Sequence, residues 1–159
     1  MKYNPEIHHR KSIRIKEYDY SQSGYYFVTI CVKNRLQLFG KIENGEMILN
    51  EFGVIVEDIW FDLPNHILNL QLDYYYIMPN HLHCIFILNE NVGAGSKPAL
   101  DTRDSKRAGL EPAPTKFHGL SEIIRQFKTF TSKQINILRN TPGVPIWQRN
   151  YYEHIIRNE

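Results

Sequence analysis

The chain has 159 residues, of which 42% are hydrophobic and 13% aromatic, ten of them tyrosine; this is the length and apolar content of one globular domain and excludes a wholly disordered chain. Its longest strictly apolar run, Cys84-Ile85-Phe86-Ile87-Leu88, is far too short to span a bilayer, and the polar first residues lack a signal-peptide core, so a cytoplasmic protein is expected. The net charge of +2 conceals a segregation: Lys2, Arg10, Lys11, Arg14 and Lys16 precede an acidic stretch from Glu43 to Asp73 without a Lys or Arg, and Lys116, Arg125, Lys128, Lys133 and Arg139 follow it.

In chain order, GYYFVTICVKN from Gly24 is rich in β-branched and aromatic residues and predicts a buried strand. Asn44-Gly45 lies between two short apolar stretches, the signal of a two-residue hairpin. Asn50 is a candidate N-cap. After it, Phe52, Ile55, Val56, Ile59, Trp60 and Leu63 keep the spacing of a core-facing helix expected to end before Pro64, with the acidic residues on its solvated face. Two strands follow at 69–78 and 81–88, joined by Pro79-Asn80; in the second, His81, His83, Ile85 and Ile87 alternate with Leu82, Cys84, Phe86 and Leu88. From about 89 to 115 apolar periodicity gives way to Gly, Pro, Ala, Ser and charge, with AGSKPAL and AGLEPAP as two copies of one unit; a disordered insertion is expected there. Helical spacing resumes at Leu120, Ile123, Ile124, Phe127, Phe130, Ile135 and Leu138, with Arg125, Lys128 and Lys133 on the other side. VPIWQRNYYEHIIR then reads as a strand, Pro145 marking an edge or a strand start. The order of elements predicts an α+β fold, helices packed on one antiparallel sheet, and Cys31 and Cys84 are expected to be buried free thiols.

His81 and His83 are the central candidates. At i and i+2 of a strand they share a face with Cβ atoms about 6–7 Å apart, within reach of one cation. A bare His-x-His more often marks one or two histidines that are merely partly buried or on the surface. Imidazole suits Zn, Mn or Fe, whereas Mg needs additional oxygen ligands.

The string Tyr76-Ile77-Met78-Pro79-Asn80-His81-Leu82-His83, preceded by Asp73 and followed by an apolar run, resembles the histidine–hydrophobe–histidine (HUH) motif of the single-tyrosine, IS200-like transposases. Arg10-Lys11-Ser12-Ile13-Arg14-Ile15-Lys16, then Tyr18-Asp19-Tyr20-Ser21 leading into Gly24-Tyr25-Tyr26-Phe27-Val28-Thr29-Ile30, and Ile146-Trp147-Gln148-Arg149-Asn150-Tyr151-Tyr152-Glu153-His154-Ile155-Ile156-Arg157 resemble the REP-associated tyrosine transposase branch. The resemblance covers most of the chain and implies a ferredoxin-like antiparallel sheet of about four to five strands. It also implies binding of a DNA hairpin with flanking single strand. His81 and His83 match that family's ligands for a divalent metal, Mg or Mn, beside a tyrosine that forms a 5′-phosphotyrosine intermediate; such an intermediate conserves the phosphodiester's energy for rejoining.

The family's nucleophile lies on a helix beyond the Trp-Gln signature, and nothing in this chain matches it. Asn158-Glu159 has the character of an N-cap and a first-turn acid, so the nucleophile helix is expected beyond Glu159 and the chain by itself is expected to lack catalysis, with Tyr152 as a fallback nucleophile. Tyr151 and Tyr152 otherwise read as core or DNA-stacking residues, and Tyr74-Tyr75-Tyr76 as a buried strand with two rings on one side. Expected DNA contacts are Arg10, Lys11, Arg14 and Lys16, then Arg125, Lys128 and Lys133, then Gln148 and Arg149. Glu153 and Arg157 have no decided role, His154 reads as a satisfied structural histidine, and His8, His9, His66 and His118 read as ordinary surface residues. A noncatalytic hairpin-binding remnant or regulator and a ferredoxin-like RNA-binding module are the competing readings. No membrane partner is expected, and monomer and homodimer are both open.

Overall fold

The computed structural model describes residues 14–90 and 117–157. Its elements are β1 (Gly24–Cys31), β2 (Gly40–Glu43), β3 (Glu46–Leu49), α1 (Glu51–His66), β4 (Leu70–Met78), β5 (His81–Leu88), α2 (Leu120–Leu138) and β6 (Tyr152–Ile156). Four strands form one antiparallel sheet in the order β4-β5-β1-β6, and β2 and β3 pair separately as a hairpin. Setting the hairpin aside, the chain runs β-α-β-β-α-β, the ferredoxin-like arrangement. Helices cover one face of the sheet only, because one side of each strand is apolar: Tyr26, Val28, Ile30, Leu82, Cys84, Phe86 and Leu88 are all buried against α1 and α2. Each such side chain contributes about 1.5–3 kcal/mol by leaving water. Trp60 of α1 centres this core, its ring 5.0 Å from Phe86, 5.6 Å from Tyr75 and 6.5 Å from Phe127.

Local chemistry explains the starts and stops. Asn44 and Gly45 take positive φ of 52° and 85°, as a tight hairpin turn requires. Asn50 caps α1, its side chain accepting from the backbone N–H of Phe52 and Gly53. Gly53 is fixed by contact: a Cβ there would run into the carbonyl oxygen of Phe39. Against expectation, α1 continues through Pro64 to His66. A proline in the last turn removes a single donor, and Asp62 holds that turn by accepting from Asn65 Nδ2 at 2.9 Å and pairing with His66 Nε2 at 2.8 Å. His66 therefore has a partner the sequence reading did not give it. No described helix is long and apolar enough to cross a membrane.

Other expectations need correction. The last strand is confined to Tyr152–Ile156; residues 144–151 form a connection that meets the end of β1 through an isolated bridge just past it, Val32 to Trp147, with the Gln148 N–H donating to the Cys31 carbonyl. The first strand stops at Cys31, and Lys33–Arg35 make a tight turn in which Asn34 and Arg35 adopt positive φ. Phe130 and Leu138 point outward, at 43% and 50% exposure, and the buried partner on that turn of α2 is Thr131. Its hydroxyl donates to the Phe127 carbonyl and accepts from Trp147 Nε1, both at 2.8 Å, which ties the 144–151 connection to the helix. Of the two free cysteines, Cys84 is buried and Cys31 is only half-buried. The anticipated insertion near 89–115 falls almost wholly outside the described residues.

Asn69 joins the two stems of that segment. Buried at the start of β4, it accepts from the Asn89 N–H through its carbonyl, and its side chain both donates to the His118 carbonyl and accepts from the His118 N–H at 3.1 Å. Replacing residues 91–116 by a short Gly/Ser linker is expected to leave the melting temperature nearly unchanged, whereas Asn69→Ala should cost about 1–3 kcal/mol by orphaning buried backbone groups, both measurable by thermal or urea denaturation.

Candidate functional site

The uncovered sheet face carries the histidine pair. Across β1 and β5 the antiparallel register sets Thr29 opposite His83 and Cys31 opposite His81. The two Nε2 atoms approach to 3.0 Å with the rings nearly perpendicular, at 81°. Their outer nitrogens are also engaged: His83 Nδ1 lies 2.8 Å from Thr29 Oγ1, and His81 Nδ1 lies 2.6 Å from Asn80 Oδ1. Phe27 stacks on His83 at 5.5 Å. Burial holds both histidines below their ordinary pKa, with the neighbouring His83 and Arg35 charges adding to the effect on His81. Neutral rings are the form in which imidazole binds a metal.

The 3.0 Å approach is a hydrogen bond between the two rings, and His81 and His83 are the described residues that would hold a divalent cation on this face. Among the described residues no third His, Cys, Asp or Glu joins them. Flanking the pair in one row across the sheet are Tyr76 of β4 and, beyond Thr29, Tyr152 of β6. They are 54% and 56% exposed, so both rings stand on the open face. Tyr151 faces the other way and is buried, so the two adjacent tyrosines lie on opposite faces. His154 is exposed on β6, opposite Phe27.

A second feature lies on the helix side of the β6 edge. Between α2 and the 140–151 connection runs a groove of about 950 Å³ lined by Arg14, Arg125, Lys128, Lys133, Gln148 and Arg149 among others, with no acidic residue in its lining. Its wall is built by Lys128, whose ammonium donates at 2.9 Å to the carbonyls of both Gln148 and Asn150 and lies 5.9 Å from the centre of the Tyr151 ring. Burial lowers the Lys128 pKa to about 8. Arg14 donates at 2.9 Å to the Tyr151 hydroxyl, which also bonds Ser121 at 3.1 Å. Arg125 pairs with Glu122 across one turn of α2, and its guanidinium lowers that carboxyl to about 2.

Six of the expected DNA contacts thus meet in one groove. Lys16 is exposed but does not line it, and Arg10 and Lys11 lie outside the described residues. Lys128 is half-buried, with its charge turned inward to hold backbone as well as lining the groove. Thr29, Asn80 and Thr131 were missed, because each acts through a register or a tertiary contact; Asn80 alone carried a local signal, being next to His81.

A curated protein of Haemophilus influenzae, itself uncharacterized, is 40% identical over 158 residues, covering 99% of this chain and 84% of its own length. The chain belongs to the family of this Haemophilus protein. No family model matches. Among solved structures, a REP-associated tyrosine transposase bound to a REP hairpin aligns with a TM-score of 0.54 at 19% identity over 91% of this chain. The fold is therefore that of the REP-associated tyrosine transposases, as the sequence motifs implied. This chain spans 64% of the length of that transposase.

The lowered Lys128 pKa has a thermodynamic consequence. An ammonium with a depressed folded-state pKa is disfavoured by folding below about pH 8, and stability is regained as pH rises toward the unfolded lysine value near 10.4. The gain in melting temperature from pH 7.5 to pH 10 should therefore be smaller in Lys128→Met than in wild type, as read by thermal denaturation at the two pH values.

Proposed function

We propose that the chain is a DNA-processing protein of the tyrosine-transposase type that grips a hairpin and its flanking single strand, and that His81 and His83 hold a Mg or Mn ion. The observation that carries this reading is the convergence of Arg14, Arg125, Lys128, Lys133, Gln148 and Arg149 on one acid-free groove. Mobile cations at the rim neutralise phosphates, while Arg149 and Gln148 have the donor and acceptor sets that read base edges. The transposase that shares this fold was solved with a REP hairpin, which supports the same partner class.

The groove and the histidine face meet at β6. Tyr151 and Tyr152 are consecutive, one inside the groove wall and the other on the face of the pair. A single strand leaving the groove needs only to cross this edge strand to present a phosphate to His81 and His83. A divalent ion held there would draw charge from the phosphoryl oxygens and ease attack at phosphorus. His83 and His81 supply neutral nitrogens, and Phe27 excludes water from one side of His83. Among the described residues no tyrosine sits on α1 or α2. On this reading the chain as given binds DNA and metal without forming a phosphotyrosine.

Labelled hairpin DNA with a single-stranded flank should bind with an affinity that falls steeply with salt. Arg125→Ala, Lys133→Ala and Arg149→Ala should each lower the slope of log K against log salt by about one. His81→Ala and His83→Ala should abolish Mn binding while leaving hairpin affinity almost unchanged. Unaltered salt slopes, or tighter binding to RNA of the same sequence, would overturn the DNA reading. On a denaturing gel no covalent adduct is expected; an adduct lost in Tyr152→Phe would make Tyr152 the nucleophile.

A further inference from the structure

The hydrogen bonds around the histidine pair fix their protons. Asn80 turns Nδ2 toward the Arg35 carbonyl and Oδ1 toward His81 Nδ1, and a carboxamide oxygen can only accept. With Asn80 in this orientation, its Nδ2 3.4 Å from the Arg35 carbonyl, His81 carries its proton on Nδ1 and leaves Nε2 as a bare lone pair. His83 Nε2, 3.0 Å away, must be the donor to it, which leaves His83 Nδ1 bare. The Thr29 hydroxyl, 2.8 Å from that nitrogen, must then donate. The result is a relay with every polar atom satisfied and both rings neutral: Thr29 O–H to His83, His83 N–H to His81, His81 N–H to Asn80.

This arrangement cannot ligate a cation, because His83 has its proton on the nitrogen that faces His81. Binding requires the proton to leave Nε2 and a proton to be taken up at Nδ1 through water, with no net release. The partner of Nδ1 must then reverse from donor to acceptor. A hydroxyl does so by rotating its hydrogen away; an amide oxygen or carboxylate would hold His83 permanently with Nδ1 protonated and set two lone pairs against each other at 3.0 Å, and an alkyl group would leave Nδ1 without a partner in either state. We infer that Thr29 is a positioning residue that lets His83 exchange its Nε2–H tautomer for the Nδ1–H tautomer when a divalent cation enters between the two rings. The inference rests on the metal reading above.

Long-range 1H–15N NMR on the full chain reads the tautomer of each ring, with Zn²⁺ as a diamagnetic probe, and EPR of free Mn²⁺ reads affinity. The metal-free wild type should show His81 as Nδ1–H and His83 as Nε2–H, and the loaded protein should show both as Nδ1–H. Thr29→Ser should preserve the exchange, whereas Thr29→Val should lose the metal-free assignment of His83 and weaken Mn²⁺ binding at least about tenfold. A metal-free His83 already in the Nδ1–H form, or a valine variant that binds Mn²⁺ as the wild type does, would overturn the inference. Wild type that binds metal without changing the His83 tautomer overturns the switch alone. Wild type that binds neither ion overturns the metal reading and the switch together, while its metal-free tautomers still report the relay.

Discussion

The register of β1 against its two neighbours sets almost every functional relation in the molecule. β1 is an interior strand, flanked by β5 and β6, so each of its residues fixes one position on either side. Because side chains alternate strictly along a strand, a slip of one residue would place Thr29 and Cys31 in the core and Val28 and Ile30 in water. The burial of Tyr26, Val28 and Ile30 against the helices makes that slip costly, and this apolar constraint is what holds Thr29 opposite His83. A polar contact of 2.8 Å between residues 54 apart in sequence is thus enforced by packing on the other side of the sheet.

A second constraint fastens the connection before β6. Trp147 packs 5.1 Å from Phe39 and 5.8 Å from Phe127 and donates to Thr131, while the Gln148 N–H donates to the Cys31 carbonyl. Lys128 then supplies the donors that the Gln148 and Asn150 carbonyls lack. Holding backbone with a partly desolvated ammonium costs free energy at neutral pH, and the depressed pKa records that cost. What it secures is a fixed path for the segment that carries Gln148, Arg149, Tyr151 and Tyr152 from the groove to the open face.

The sequence was most informative where physics is local. Alternation over 81–88, the Asn44-Gly45 turn and the Asn50 cap each depend on a few neighbouring residues, and each appears where expected. The i, i+2 spacing within that strand likewise placed both histidines on one face. Legibility failed where a distant contact overrides the local pattern. Phe130 reads as core, but Thr131 takes the inward place because it must meet Trp147; Pro64 is the local exception, a helix-stop signal outweighed by Asp62 contacts within the same turn. VPIWQRNYYEHIIR reads as one strand by composition, yet between the Trp147 bridge and Tyr152 the pairing with β1 is interrupted, where Lys128 holds the Gln148 and Asn150 carbonyls instead. Basic residues at 14, 125, 133 and 149 could be named singly, but only the fold brings them into one groove.

The two faces of β6 also separate two electrostatic tasks that would interfere if merged. A cation-rich groove raises the local potential and would oppose a divalent ion placed within it, whereas the histidine pair has tyrosines and Phe27 beside it, with Arg35 as the one cation acting on His81 among the described residues. Neutral ligands leave a bound ion with its full charge, and so with its full pull on a phosphate. On the proposed function the polyanion is the only component attracted to both sides, and it reaches both by crossing a single edge strand. Within the groove Lys128 is half-buried and committed to holding backbone, while Lys133 and Arg149 are exposed.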